Sequence, residues 1–210
     1  MKITVFGATG DTGKQLVEQA LTAEYEVVAY ARNPTKLNIT HDHLTVVQGE
    51  LYDQALIENA IHGTDTVLST LGPHGRSKNK PITQGMQNII AAMKKQGVRR
   101  LIITSTLSAK DPNDKPDLRT KAMVNLVKTT MHGAYEDIVS VAETVRASDL
   151  DWTIVRLALL NNNPKTGKVK TGYAGRGEVG TRISRADVAD FMLKQVEHTE
   201  YMRQAPAISN

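Results

Sequence analysis

The sequence contains no cysteine, which removes disulfide frameworks, thiolate metal sites and cysteine nucleophiles together. Aromatic residues are scarce: two Phe, six Tyr and one Trp in 210 residues. None stands among the paired basic residues Lys94-Lys95 and Arg99-Arg100, nor beside Lys78 and Lys80. Nucleic-acid readers set stacking aromatics among a dense basic stripe. The net charge of +4 therefore reads as a solvated surface, and no nucleic-acid partner is expected. No apolar run approaches the roughly 18 residues that a membrane span needs, so no membrane partner is expected either. The opening Met1-Lys2-Ile3-Thr4-Val5 runs straight into a strand and leaves no room for a signal peptide, which points to a cytoplasmic chain. The six histidines form no H-E-x-x-H, and no G-x-S-x-G elbow occurs, so neither a metal site nor a serine-hydrolase site is expected.

What is present alternates. Short β-branched apolar runs stand at 3–6, 26–31, 44–47, 65–70, 100–105 and 152–156. Helical periodicities lie between them, at 13–23, 53–61 and 84–96, with a long one within 118–148. Continuously apolar strands separated by helices predict α/β architecture, a parallel sheet covered on both faces. Residues 161–180 are rich in Gly, Asn and Lys and read as loop or short hairpin. A helix over 184–197 follows, with Ser184 as N-cap and Asp187 at its third position. At 210 residues one core suffices, so a single domain over 1–210 is expected, with about 157–183 forming a small C-terminal substrate-side lobe.

The glycines decide what the sheet is for. A strand, then Gly7-Ala8-Thr9-Gly10-Asp11-Thr12-Gly13, then a helix, is the first turn of a dinucleotide-binding, Rossmann-type, doubly wound sheet. Glycine permits the tight turn and a close backbone approach, and the helix N-terminus offers amides and a positive dipole end to a pyrophosphate. The spacing is G-x-x-G-x-x-G where the general fingerprint is G-x-G-x-x-G. A triphosphate-hydrolysing P-loop is excluded, because Gly13-Lys14 follows Ala8 five positions on and precedes Gln15. At the end of the second strand an NAD protein carries a carboxylate for the ribose hydroxyl. This chain has Arg32 there and Lys36 four residues on, which suits the 2′-phosphate of NADP.

With "GATGDTG", "ARNPTKL", "STLG" and "DWTIVR" in view, the chain resembles the atypical short-chain dehydrogenase/reductases of the NAD(P)H-binding, NmrA-like family. Within that family it resembles most the biliverdin-IXβ reductases, also called flavin reductases. The likeness runs nearly end to end, through "GMQNIIAAMKKQGVRRLIITST" and "TGYAGRGEVGTRISRADVADFML" to "EYMRQAPAIS", and the family shares the G-x-x-G-x-x-G spacing. The resemblance implies a cofactor cradle along the strand ends. Gly7, Thr9, Gly10, Asp11, Thr12 and Gly13 would form the pyrophosphate turn, and Arg32, Thr35 and Lys36 would hold the 2′-phosphate. Glu50 and Leu51 would flank the adenine, Thr70, Leu71 and Gly72 would line the nicotinamide ribose, and Thr104 would lie near the nicotinamide. Ser105 matches the family serine beside the substrate and is the catalytic candidate. The family histidine position reads as Leu159, which points to a general flavin or quinone pocket rather than to biliverdin.

Four positions after Tyr25, Tyr30, Tyr52, Tyr135, Tyr173 and Tyr201 come Ala29, Pro34, Leu56, Val139, Gly177 and Ala205. The Tyr-x-x-x-Lys dyad of alcohol–ketone chemistry is therefore not present in the sequence. A flavin or quinone needs no such dyad, because its electron-poor ring takes hydride directly. His74 and Arg76, after the fourth strand, border the expected nicotinamide site, where either could reach an anionic substrate. Two readings follow: an NADPH-dependent reductase of planar acceptors, or a non-catalytic NADP-binding redox sensor of the NmrA type. The partner expected is a small planar electron acceptor, and the chain is expected to be a monomer or a weak dimer.

Overall fold

The β-branched runs become strands that carry one parallel sheet. In the computed structural model, which describes residues 1–73 and 79–210, β1 (Lys2–Phe6), β2 (Glu26–Ala31), β3 (Leu44–Gln48), β4 (Thr66–Ser69), β5 (Arg100–Thr106) and β6 (Asp151–Leu157) lie in the order 3-2-1-4-5-6. The chain winds outward from β1 to β3, then returns to place β4 on the other side of β1. That reversal opens a crevice at the carboxyl ends of β1 and β4, the position at which open α/β sheets take their ligands.

Strand residues alternate between two cores. Phe6, Val67, Leu101, Ile103, Trp152 and Ile154 face α2 (Gln54–Ile61), α3 (Pro81–Gln96) and α5 (His132–Arg146). Val5, Leu68, Ile102 and Val155 face α1 (Asp11–Thr22) and α6 (Arg185–Glu197), where Leu16, Val17, Val188 and Met192 are fully buried. Helices thus cover both faces of the sheet, as the apolar runs predict. No helix among the described residues is long and apolar enough to cross a membrane.

Three departures from the sequence pattern have local causes. The long helical segment is two helices, α4 (Leu118–Thr130) and α5, broken at Met131 (φ −132°, ψ 48°). Thr129 and Thr130 bond back to the Leu126 carbonyl at 3.0 and 2.7 Å, the competition by which threonines weaken a helix end, and Gly133 follows. Helix α3 begins at Pro81, before the periodic stretch, because buried Asp137 of α5 accepts from the amides of Ile82 (3.1 Å) and Thr83 (2.9 Å). The cap comes from 54 residues away. Finally, the sheet continues past β6 with β10 (Ala207–Ser209), parallel to β6, and β8 (Lys170–Gly172), antiparallel to β10. The glycine-rich segment is therefore no hairpin. Its β8 pairs with the chain's last strand, while β7 (Leu159–Asn161) pairs in parallel with β9 (Arg182–Ser184). Ser184 does cap α6, its Oγ accepting from the Asp187 amide at 3.0 Å.

Candidate functional site

Each glycine of the first turn has its own geometry. Gly7 has φ +81°, and a Cβ there would sit 2.8 Å from Thr70 Oγ1, so the turn is pressed against the end of β4. A Cβ on Gly13 would collide with the Gly7 carbonyl, so this glycine sets how closely α1 approaches the turn. Gly10 is in extended backbone (φ −75°, ψ 162°) and is the N-cap of α1, with no side chain capping the helix. Its amide bonds the Gly7 carbonyl at 3.0 Å and its carbonyl accepts from Lys14 at 2.8 Å. The result is a helix start with an open first turn, edged by exposed Gly10 and half-buried Thr9 and Thr12. That cradle fits a pyrophosphate.

Along the same edge, Arg32, Thr35 and Lys36 follow β2 and are exposed. Thr35 Oγ1 donates to Asn33 Oδ1 at 2.7 Å, tightening the turn. Glu50 and Leu51 follow β3, and three neighbours from outside that loop hold them. Tyr30 donates its hydroxyl to the Glu50 carbonyl at 2.8 Å while lying against Gly49, where any Cβ would strike its ring oxygen. Burial, with the charges of Asp53 and Glu50 adding to it, pushes the Tyr30 phenol up to about 12, so it stays a neutral donor. Asn88 of α3 donates to the Leu51 carbonyl at 2.8 Å, and the bare Cα of Gly85 admits the Leu51 side chain. The only local signal for this support is the glycine of "QGEL".

At the ends of β4 and β5, Thr70 Oγ1 donates to the Gly7 carbonyl at 3.1 Å, joining the two turns. Leu71 is half-buried against the core, and Gly72 is exposed. Thr104 Oγ1 reaches the Ser69 carbonyl at 3.5 Å. Ser105, on the opposite face of β5, is 8% exposed, yet its Oγ has no hydrogen-bond partner among the described residues. Leu159 is exposed on β7, and His74 and Arg76 lie outside the described residues.

Ser105 stands in register with Arg156 of β6. The Arg156 guanidinium is fully buried and meets Asp114 as a fork, at 2.6 and 2.8 Å. It also donates to the carbonyls of Ala205 (2.7 Å) and Ala109 (3.4 Å). Asp114 accepts in addition from the amides of Asp111 (2.8 Å) and Ala174 (2.9 Å). Burial would raise this carboxyl, but the Arg156 bonds and the two amides outweigh it and hold Asp114 below the usual carboxylate range. One ion pair thereby joins the loop after β5, the lobe around Ala174 and the C-terminal segment, forming the wall beside Ser105.

This geometry meets the comparisons at one point. A family profile described as NAD(P)H-binding matches residues 7–199. The chain belongs to the NAD(P)H-binding family. Its fold is shared with a short-chain dehydrogenase/reductase from Veillonella parvula solved in complex with NADP, at TM-score 0.81 and 22% identity, covering 100% of this chain and 94% of that one. It is shared equally with the anaerobillin reductase ChuY from Escherichia coli O157:H7, at TM-score 0.77 and 21% identity, covering 100% and 97%. Among curated proteins, a (4-alkanoyl-5-oxo-2,5-dihydrofuran-3-yl)methyl phosphate reductase from Streptomyces griseus is 27% identical over 154 residues. That match takes in 73% of this chain but 46% of the relative, so the chain spans about half of that enzyme. Membership makes the protein an NAD(P)H-binding one, and its likeness to these solved structures is one of fold.

Proposed function

We propose that the protein is an NADPH-dependent reductase that delivers a hydride to a flavin, quinone or similar planar acceptor. The observation that carries the reading is Ser105: a buried hydroxyl without a partner, at the carboxyl end of β5. A buried donor left unmatched costs roughly 1–3 kcal/mol, a penalty that an acceptor carbonyl or ring nitrogen would remove. Ser105 in this reading orients the acceptor, the Arg156–Asp114 wall holds the surface against which it lies, and Leu159 supplies apolar cover. The bound dinucleotide supplies the hydride. NADPH over NADH is supported by Arg32 and Lys36, exposed cations whose side chains make no hydrogen bond or ion pair among the described residues.

Charge supports an anionic acceptor. Segment 157–183 holds five of the 26 basic residues and one of the 22 acidic ones, leaving 21 of each elsewhere, so the whole net charge of +4 resides in the lobe. The phosphate-bearing substrate of the Streptomyces relative and the tetrapyrrole reductase among the structural neighbours accord with such a lobe. The test is a panel assay of NADPH oxidation with FMN, riboflavin, quinones and biliverdin. Reduction of FMN or a quinone is expected, with a lower KM for FMN than for riboflavin that converges as salt is raised. NADPH binding with no acceptor reduced would refute the reductase and favour the redox-sensing regulator.

A further inference from the structure

Arg185 has no part in the cradle described above, yet it lies at its mouth. It is the first residue of α6, and its Nε stands 3.7 Å from Asp11 Oδ2 at the first residue of α1. Its one close bond among the described residues is to a neutral group, Nη1 donating to Asn162 Oδ1 at 2.7 Å. The side chain is 24% exposed and that of Asp11 is 72% exposed, so this ion pair is long and solvated and contributes little. A guanidinium in that position can exchange the Asp11 carboxylate for another anion at small cost.

The backbone beneath it is firmly placed. Ser184 Oγ donates to Asp187 Oδ2 at 2.7 Å, and the fully buried Asp187 carboxylate also accepts from Gly167 (2.9 Å), Thr166 (3.0 Å) and Asn210. Gln19 of α1 donates to the Ala186 carbonyl at 2.9 Å, docking the start of α6 onto α1. Two packed helices therefore fix the distance from Arg185 to the open first turn of α1. That turn already fits a pyrophosphate by its glycines and its uncapped amides. It also carries Asp11, a charge of the wrong sign for that ligand. A fork-shaped cation within reach of the carboxylate offsets the repulsion and matches phosphate geometry.

We infer that Arg185 is a further cofactor-binding residue: its guanidinium contacts the pyrophosphate of bound NAD(P)H from α6, opposite the glycine turn. The inference rests on membership of the NAD(P)H-binding family and is independent of which acceptor is reduced. It also gives the acceptor lobe a direct link to the dinucleotide, because the same guanidinium holds Asn162.

The test is a set of dissociation constants for NADPH, NADH and adenosine 2′-monophosphate, which carries the 2′-phosphate without a pyrophosphate. Arg185→Gln is expected to weaken NADPH and NADH alike, about tenfold or more for one charge-assisted contact, and to leave adenosine 2′-monophosphate unchanged. Arg185→Lys, which keeps the charge and loses the fork, should recover part of that loss. Asp11→Asn should tighten both dinucleotides, since it releases Arg185 and removes a repulsive charge. If Arg185 only braces Asp11, Arg185→Gln and Asp11→Asn will weaken binding together, and the inference is overturned. It is overturned equally if Arg185→Gln leaves NADPH within twofold of the unmutated protein, or weakens adenosine 2′-monophosphate as much as NADPH. A wild-type chain that binds neither dinucleotide would instead refute the dinucleotide site itself.

Discussion

Asp114→Asn isolates one buried ion pair, that of Asp114 with Arg156. The substitution keeps the shape of the side chain and removes its charge. Each carboxylate oxygen of Asp114 accepts from one Arg156 nitrogen and one backbone amide, Oδ1 with Ala174 and Oδ2 with Asp111. Whichever way an asparagine is turned, its NH2 meets two donors. The Arg156 guanidinium, fully buried, is left with only the Ala205 and Ala109 carbonyls. Breaking a buried pair from one side costs roughly 3–5 kcal/mol. For a chain of this size that is a fall in Tm of roughly 6–20 °C, taking about 2–4 °C per kcal/mol. Arg156→Met should cost less, because the Asp114 side chain is 17% exposed and retains two amide donors and water.

The pH dependence has a definite sign. Asp114 is held below its unfolded value of about 3.9, so its contribution is complete above that value and is lost as pH falls through the lower, folded one. Denaturant unfolding of wild type and Asp114→Asn should therefore differ most above pH 5 and converge under more acid conditions. A difference below about 1 kcal/mol at pH 7, less than the low end for a buried pair, would refute the reasoning. So would a difference that does not shrink on acidification. NADPH affinity should be unaffected, since the clamp stands on the acceptor side of the crevice.

Two further outcomes are expected. NADPH should bind at least tenfold more tightly than NADH, and Arg32→Ala should shrink that ratio, because charge-assisted phosphate contacts contribute roughly 1.5–3 kcal/mol each; equal affinities in the unmutated protein would sink the assignment. Turnover with a flavin or quinone should be nearly flat between pH 6 and 8, and Ser105→Ala should cost about tenfold or less, the scale of one neutral hydrogen bond; a steep titration with a loss beyond a thousandfold would reveal a proton-transfer system.

The dinucleotide half of the candidate site was legible because its chemistry is local. Gly7, Gly10 and Gly13 lie within one turn, and Arg32 and Lys36 within one loop, so each constraint is written beside the strand it follows. The parallel sheet covered on both faces needed only the alternation of apolar runs and helices. The supports of that half are already less local. Tyr30 acts on Glu50 from 20 residues away, and only the glycine at position 49 marks the approach.

The rest of the site and its supports are built from partners that no window of sequence contains. Asp137 caps α3 across 54 residues, Asp114 pairs with Arg156 across 42, and Arg185 faces Asp11 from the far end of the chain. Three residues of β10 are too short to show any periodicity, yet they order β8 and hence the lobe. Charge was the one long-range property visible beforehand, and only as a total. Its concentration in residues 157–183 acquires meaning once the structure ties that segment to Asp114 through Ala174. A surplus of +4 spread over a surface would do little beyond aiding solubility. Gathered in one segment tied to the Asp114–Arg156 pair, it would act on an anion that approaches that side. On the proposed reading, an anionic acceptor would be drawn in by that charge before the Ser105 hydroxyl oriented it.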